Sequence, residues 1–404
     1  MRFLKTLVAA GGAAAVVTAL VAAPALADPI NSHKAKVTPA AYDIVSVGSE
    51  SIYAISDQMA WNYNKSVGKK HSAKHPYYYS WDAVPYANQN NTMQKVVLKA
   101  GCKKNVRPDG SSAGITALST YGSTKYKGKT YPCVNFARSS RPRKSTDPAF
   151  GPGGDAFVTL WRDAVTYSTT SNSNVPNNLT LAQLKEIFGC SIPAANGFPA
   201  NTWGALLGKS AKGASDATDP IVPQAGSGTL SFWMETALGF STDTEPTCGT
   251  AANLTTSQQP EENEGLSQYF RDGNKPKGTP NPNVIYPFSI GAWVAQQYHD
   301  AKCGKKPKGS ENMFGCNENG VLRLNGISGT APTVKKGKAS PVTNPKFSST
   351  FDRFLYAVVP YASTSNHIPA YLNGLLGHKG FFCKQTKVVL AYGFETTPFC
   401  GSTS

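Results

Sequence analysis

From residue 42 onward, short apolar runs alternate with amphipathic stretches, and this alternation predicts an α/β class. Residues 42–47, 96–98, 134–137, 156–161, 164–167, 284–288 and 354–359 read as strands. Helical periodicity is read over 52–64, 179–188 and 368–376, with Thr180 placed to cap the second of these. Residues 388–392 form a further ordered stretch near the last cysteine. Between these elements, residues 241–283 are polar and rich in Pro, Asn and Glu, which predicts loop with one short helix near 264–270. Residues 303–350 form a Lys/Gly/Ser/Pro-rich excursion, read as a loop-rich insertion. No internal repeat is visible.

The apolar segments near 163–168 and 284–287 bracket a long block of chain. A chain that leaves one lobe and later returns makes two crossings, the architecture of a hinged clamp with its ligand in the cleft. The division that follows is 1–27 signal peptide, 28–41 leader, 42–165 first part of lobe 1, 166–284 lobe 2, and 285–404 the return to lobe 1. The signal peptide is read from Arg2 and Lys5, an apolar stretch over 7–23, and Ala25-Leu26-Ala27 ahead of Asp28. Cleavage after Ala27 leaves no cysteine for a lipid anchor and no other long apolar run, so a secreted or cell-surface protein is expected.

The net charge of +16 is concentrated in loops at 65–74, 302–308 and 335–338. Such loops make a solvated surface and help draw in an anion. Nucleic-acid binding would want basic and aromatic residues interleaved on one face, and is not expected. The eight cysteines are Cys102, Cys133, Cys190, Cys248, Cys303, Cys316, Cys383 and Cys400. An even number in an exported chain points to disulfides, with 105 possible connectivities. Succession along the chain favours 102–133, 190–248, 303–316 and 383–400. No C-x-x-C or close Cys/His spacing is present, so neither a metal nor a cofactor is expected.

The candidate chemistry lies in three Gly/Ser-rich turns, each followed by a helix start. The first holds Gly48, Ser49, Glu50 and Ser51, the second Gly110, Ser111, Ser112 and Gly114. The third, Gln224-Ala225-Gly226-Ser227-Gly228-Thr229, runs into Leu230-Ser231-Phe232-Trp233. Glycine lets the backbone bend until N–H groups converge, and hydroxyls add donors. Behind each turn, a helix N-terminus is positive and short of acceptors. Three such turns converging would surround one small anion.

In this order the motifs resemble the phosphate-binding members of the type 2 periplasmic solute-binding proteins, in particular exported variants of high-GC Gram-positive bacteria. Gly48-Ser49-Glu50-Ser51 is similar to the first anion loop of that family, Gly110-Ser111-Ser112-Ala113-Gly114 to the second, and Ala137-Arg138-Ser139-Ser140-Arg141 holds the place of the third. Leu179-Thr180-Leu181-Ala182-Gln183-Leu184 resembles a lobe 2 helix, Gly226-Ser227-Gly228-Thr229 the SGT loop, and Pro287-Phe288-Ser289-Ile290-Gly291 the return to lobe 1. The resemblance covers roughly residues 42–300. It implies a two-lobed fold with a hinge and an inter-lobe cleft. It also implies a monomer that binds phosphate or a related oxyanion and hands it to an ABC permease. The residues it assigns to the ligand are Ser49, Glu50, Ser51, Gly110, Ser111, Ser112, Arg138, Ser139, Ser140, Gln224, Gly226, Ser227, Gly228 and Thr229. Two positions depart from the family pattern. Pro223, Gln224 and Ala225 stand where an arginine and an acidic residue are usual, and Ser140 stands where an aspartate accepts the proton of hydrogen phosphate. Arg138 and Arg141 are the candidates for the missing positive charge.

An enzyme needs a nucleophile–base pair or paired acids in a cleft. The histidines His33, His71, His75, His299, His367 and His378 lie in loops or at helix ends, and none neighbours a Gly-x-Ser-x-Gly elbow. The acidic group Glu261-Glu262-Asn263-Glu264 is read as a solvated loop, and Tyr77-Tyr78-Tyr79-Ser80-Trp81 as packing. A binding protein is therefore expected. An extracellular structural protein on the same fold is the second reading, and a secreted hydrolase the third.

Overall fold

The computed structural model describes residue 29 and residues 37–84, 93–244, 246–254, 259–275, 277–302, 312–335 and 340–404. The fold is α/β, built on a mixed sheet in the order Asp219–Pro220, Val284–Ser289, Asp155–Thr170, Asp352–Pro360, Phe136–Ser139, Ile44–Gly48, Tyr78–Ser80, with Leu322–Leu324 also paired to Asp155–Thr170. Ile44–Gly48 runs parallel to its neighbours on both sides, whereas Asp155–Thr170 is antiparallel to every strand it touches.

Asp155–Thr170 is the spine of the molecule. Its first half pairs with Asp352–Pro360 and its second half with Val284–Ser289 and Leu322–Leu324. Residues 156–161 and 164–167 were expected as two strands, but they form one strand of 16 residues. Arg162 and Asp163 look like a break in the apolar pattern, yet both are paired. Arg162 bonds Asp352 at the strand edge, and Asp163 is buried against Arg353, Ser289 and the Gly291 amide.

Two apolar cores form along this spine. One gathers Ile55, Met59, Phe136, Trp161, Leu355 and Phe382 beneath the helix Tyr53–Val67. The other gathers Leu184, Ile187, Phe188, Trp203, Trp233 and Ile285. Helix Leu181–Phe188 carries the anticipated cap as a full capping box. Thr180 accepts from the Gln183 amide and the Gln183 side chain accepts from the Thr180 amide. Such a cap stabilises by about 1 kcal/mol. Tyr78 packs in the first core, and Tyr79 and Trp81 pack in a smaller cluster with Val45, Val47 and Leu98, where Trp81 also lines a pocket beside Val37 and Val96.

Several elements differ in length from the sequence pattern. The expected helix near 264–270 is only the 3₁₀ turn Gln268–Phe270, and 388–392 belongs to a helix Thr386–Ala391. Disulfides join Cys102–Cys133, Cys190–Cys248 and Cys383–Cys400, as chain succession predicts. The expected 303–316 pair and the signal peptide lie outside the described residues. No helix among the described residues is long and apolar enough to cross a membrane.

Candidate functional site

The Gly/Ser turns meet between the two cores. Gly48 ends its strand with φ +105°, and its Cα packs against Gly114, where an added Cβ would come within 2.6 Å of it. Gly228 is hemmed in more tightly still. A Cβ there would lie 2.3 Å from Ser140 Oγ and 2.4 Å from Ser111 Oγ, so only glycine lets the third turn reach the other two. The Ser112 amide donates to Gly226 O at 3.3 Å, which links the second and third turns directly.

At the centre of this convergence lies the carboxylate of Glu262. Its Oε1 accepts from the Ser51 amide at 3.2 Å, from the Ser51 hydroxyl, from Ser140 Oγ at 3.3 Å and from Asn263 Nδ2 at 3.4 Å. Its Oε2 accepts from Ser227 Oγ at 2.5 Å and from the Thr229 amide at 3.3 Å. Burial favours the neutral acid. Arg353 and the hydroxyls of Ser227, Ser51 and Thr229 oppose it, and the net result is a carboxyl held below its ordinary range. The cradle therefore holds an anion, and that anion is a side chain of the same protein.

The positive charge comes from Arg353. Its guanidinium donates to Ser51 Oγ at 3.0 Å, to Thr229 Oγ1 at 2.9 Å and to the Ser140 carbonyl at 3.0 Å. It is anchored from behind by Asp163 Oδ2, at 3.0 Å from Nε and 2.8 Å from Nη2. A planar fork with five donors can make all these bonds at once. Neither arginine expected in this role fills it. Arg138 is buried beneath the first turn, where it binds Ser46 and Ser80 hydroxyls and the carbonyls of Gly48, Ser49 and Trp81. Arg141 pairs with Asp147 and donates to Ser112 Oγ.

Of the residues expected around a bound anion, Ser51, Ser140, Ser227 and Thr229 contact the Glu262 carboxylate instead. Ser49 donates to Ser140 Oγ at 2.9 Å, and Ser111 accepts from the Ser140 amide at 3.1 Å, so both set the Ser140 hydroxyl in place. Ser139 bonds the Arg141 carbonyl, and Ser112 faces Arg141. Gly110, Gly226 and Gly228 supply backbone shape, with Gly110 packed against the Gly226 carbonyl, 2.8 Å from where a Cβ would sit. Glu50 and Gln224 lie to one side. Gln224 Nε2 donates to Asp109 Oδ1 at 3.3 Å, and Glu50 stands with Asp109 and Glu261 in an acidic group. Burial is the main force that raises the Glu50 carboxyl well above its ordinary value, brings Asp109 to about 6 and takes Glu261 to about 10. Repulsion from neighbouring acids adds to it, while hydrogen bonds with Gln224 and Glu261 hold the Asp109 carboxyl down.

The reading of residues 261–264 as a solvated loop is overturned. Glu261, Glu262, Asn263 and Glu264 are 6%, 2%, 2% and 8% exposed. Asn263 explains the inward turn. With φ of +60° it occupies the left-handed region that asparagine tolerates. Its Oδ1 accepts from the Ser289 amide at 2.9 Å, and its carbonyl accepts from Gln296 Nε2 at 3.0 Å. Glu262, Arg353 and Asp163 were missed as site residues. The available signal was a charge inside or beside an apolar run, at Asp163 within 155–170 and at Arg353 before 354–359. The histidines His71, His299 and His378 bond Asp43 and the carbonyls of Ala391 and Cys400, away from the cradle.

No family model and no curated protein matches this chain. Among solved structures it is similar to an ABC-type phosphate transport receptor from Vibrio cholerae, at 16% identity and a TM-score of 0.46, over 88% of this chain and 100% of that one. It is also similar to PstS from Borrelia burgdorferi, at 15% identity and a TM-score of 0.39 over 87% and 98% of the two chains. A phosphate binding protein from Stenotrophomonas maltophilia gives 12% identity and a TM-score of 0.39 over 88% and 91%. With TM-scores below 0.5, these likenesses decide nothing about function, which has to be read from the residues of this chain.

Proposed function

We propose that this is an exported, two-lobed solute-binding protein whose cradle recognises an oxyanion of the phosphate class, and that Glu262 stands in the ligand's place in the present conformation. One observation carries the reading. Two amides and three hydroxyls drawn from three separate segments converge on one carboxylate, with the Arg353 guanidinium bonded to Ser51 and Thr229 beside it. Donors arranged this way suit a tetrahedral oxyanion as well as a carboxylate, because both present several acceptor oxygens to charge-assisted bonds. On this reading lobe 1 comprises residues 42–165 and 285–404, lobe 2 comprises 166–284, and the ligand enters when the 259–265 segment withdraws. Delivery to an ABC permease by a monomer belongs to the same proposal. A binding role accounts for the residues without a nucleophile–base pair.

A tethered carboxylate competes with any free anion at a high effective concentration. Wild-type protein is therefore expected to bind phosphate weakly, and Glu262→Ala to bind it at least ten times more tightly, with sulfate as the control anion, by isothermal titration. A silent titration from both proteins would favour the second reading. There Glu262 is a permanent latch in an extracellular structural protein, which the same closed geometry also suits.

A further inference from the structure

Beside the cradle lies a second group of acids that the oxyanion reading does not use. Glu50, Asp109 and Glu261 each bring one carboxylate oxygen to within 4.8 Å of the other two. Glu50 comes from the first Gly/Ser turn, Asp109 from the residue ahead of helix Gly110–Thr120, and Glu261 from the far side of the cleft, where Tyr286 Oη donates to its carbonyl. Glu50 is 3% exposed, and its Oε2 has no hydrogen-bond partner among the described residues. The Oε2 of Glu261 is likewise buried and unpartnered. Gln224 adds a fourth oxygen. Its Nε2 donates to Asp109, and its Oε1 is buried and unpartnered.

Unpartnered buried carboxyl oxygens are costly, and here they come from different parts of the chain. No lysine, arginine or histidine among the described residues forms an ion pair with any of the three. Arg353 is committed to Asp163 and to the Ser51 and Thr229 hydroxyls. We propose that Glu50, Asp109 and Glu261, with Gln224 Oε1 beside them, form a binding site for a hard divalent cation, best fitted by Ca²⁺, that ties the two sides of the cleft together.

The donor set and the span select the metal. Oxygen-only ligands exclude the softer transition metals as preferred occupants. Two oxygens on one Ca²⁺ can stand as far apart as about 5 Å, twice a bond of about 2.5 Å, whereas Mg²⁺ limits them to about 4.2 Å. The three oxygens lie within 4.8 Å of one another, a separation that the longer calcium bonds bridge more readily. Magnesium also favours keeping several waters, which a water-excluded group does not supply.

The test is isothermal titration of the chelator-stripped full chain with CaCl₂ in phosphate-free buffer at pH 7.5, with MgCl₂ and KCl as controls. One saturable Ca²⁺ site per chain is expected, with Mg²⁺ at least ten times weaker and no response to K⁺. Glu261→Gln and Asp109→Asn are each expected to weaken Ca²⁺ at least tenfold. Both variants replace a carboxyl ligand by an amide of the same shape. Should either fail to fold, Tb³⁺ luminescence on the wild type, quenched by competing Ca²⁺, replaces it. Absence of Ca²⁺ binding at millimolar concentration, or binding unchanged in the variants, would overturn the site. Because no phosphate is present, that result would leave the oxyanion reading untouched, and a silent phosphate titration would likewise leave the cation site standing.

Discussion

The hydroxyl of Ser227 serves two partners with one atom. It accepts from the Leu230 amide at 3.1 Å, capping helix Gly228–Ser231, and donates to Glu262 Oε2 at 2.5 Å. Helix start and trapped carboxylate are thus coupled through a single oxygen. The chain continues from this short helix into a π-helical turn, Phe232–Ala237, which carries Trp233 into the second core. The cradle is therefore anchored to packed structure on that side.

Ser227→Ala removes a cap and a bond to a buried ion together. The expected cost is about 2.5–4 kcal/mol, from about 1 for the cap and about 1.5–3 for the charged hydrogen bond. In a Glu262→Gln background the second contribution shrinks, so the same substitution should cost closer to about 1 kcal/mol. Urea denaturation of the four proteins in this cycle measures the coupling. A coupling near zero would mean that the Ser227–Glu262 contact contributes nothing to stability.

Arg353 lies between two buried carboxylates, Asp163 behind it and Glu262 ahead. Arg353→Met leaves both without their counter-charge and should destabilise by about 3–5 kcal/mol. The pH dependence gives the sign. In the wild type, the Glu262 carboxyl is held below its unfolded value, so its contribution is present above pH 4.5 and is lost as pH falls through the folded value. Without Arg353, burial raises that carboxyl instead, and stability is then lost as pH rises. Arg353→Met should accordingly be more destabilised at pH 8 than at pH 5 when urea midpoints are compared. Equal loss at both values would show that packing, not charge, holds Arg353 there.

Gly228 tests the approach of the turns. An alanine methyl must displace the Ser140 and Ser111 hydroxyls, which bond each other and the Ser140 amide. At Gly226, by contrast, the nearest atom to an added Cβ is Ser112 Cβ at 3.8 Å, and only the φ of +88° opposes substitution. Gly228→Ala should therefore open the cleft, raising the radius of gyration in solution scattering. Gly226→Ala should lower stability by about 1 kcal/mol with the shape unchanged. A compact Gly228→Ala protein would show that the turns tolerate more room than their contacts imply.

Much of this arrangement was legible in the chain. Alternating strands and helices and the Thr180 cap follow from local rules that act within a few residues, and three disulfide pairings follow simple succession along the chain. The three Gly/Ser turns were legible for the same reason, since each carries its own glycine. What stayed hidden is non-local. Nothing near Glu262 says that its carboxylate will meet Ser51, 211 residues away. Composition alone makes E-E-N-E look solvated, and only the left-handed Asn263 with its bonds to Ser289 and Gln296 turns it inward. Arg138 and Arg141 stand out in the sequence because they flank the serines, whereas Arg353 lies far from them. In the fold, adjacent strand residues point to opposite faces, and the Arg138 side chain goes beneath the turn.

Glu264 gives the clearest pH signature outside the cradle. It is buried, and desolvation lifts its carboxyl from 4.5 to about 7, despite bonds from the Leu266 and Glu261 backbone. A carboxyl raised on folding binds more protons in the native state than in the unfolded one. Its favourable contribution is complete below pH 4.5 and disappears as pH rises through about 7. The shift corresponds to about 3 kcal/mol at pH 8. Glu264→Gln keeps the shape and cannot ionise, so it should match the wild type at pH 4.5 and exceed it by up to about 3 kcal/mol at pH 8. Urea denaturation at these two pH values decides the matter. If the variant gains nothing at pH 8, water reaches Glu264 and the 259–265 segment opens readily, which would also ease the entry of an external anion to the cradle.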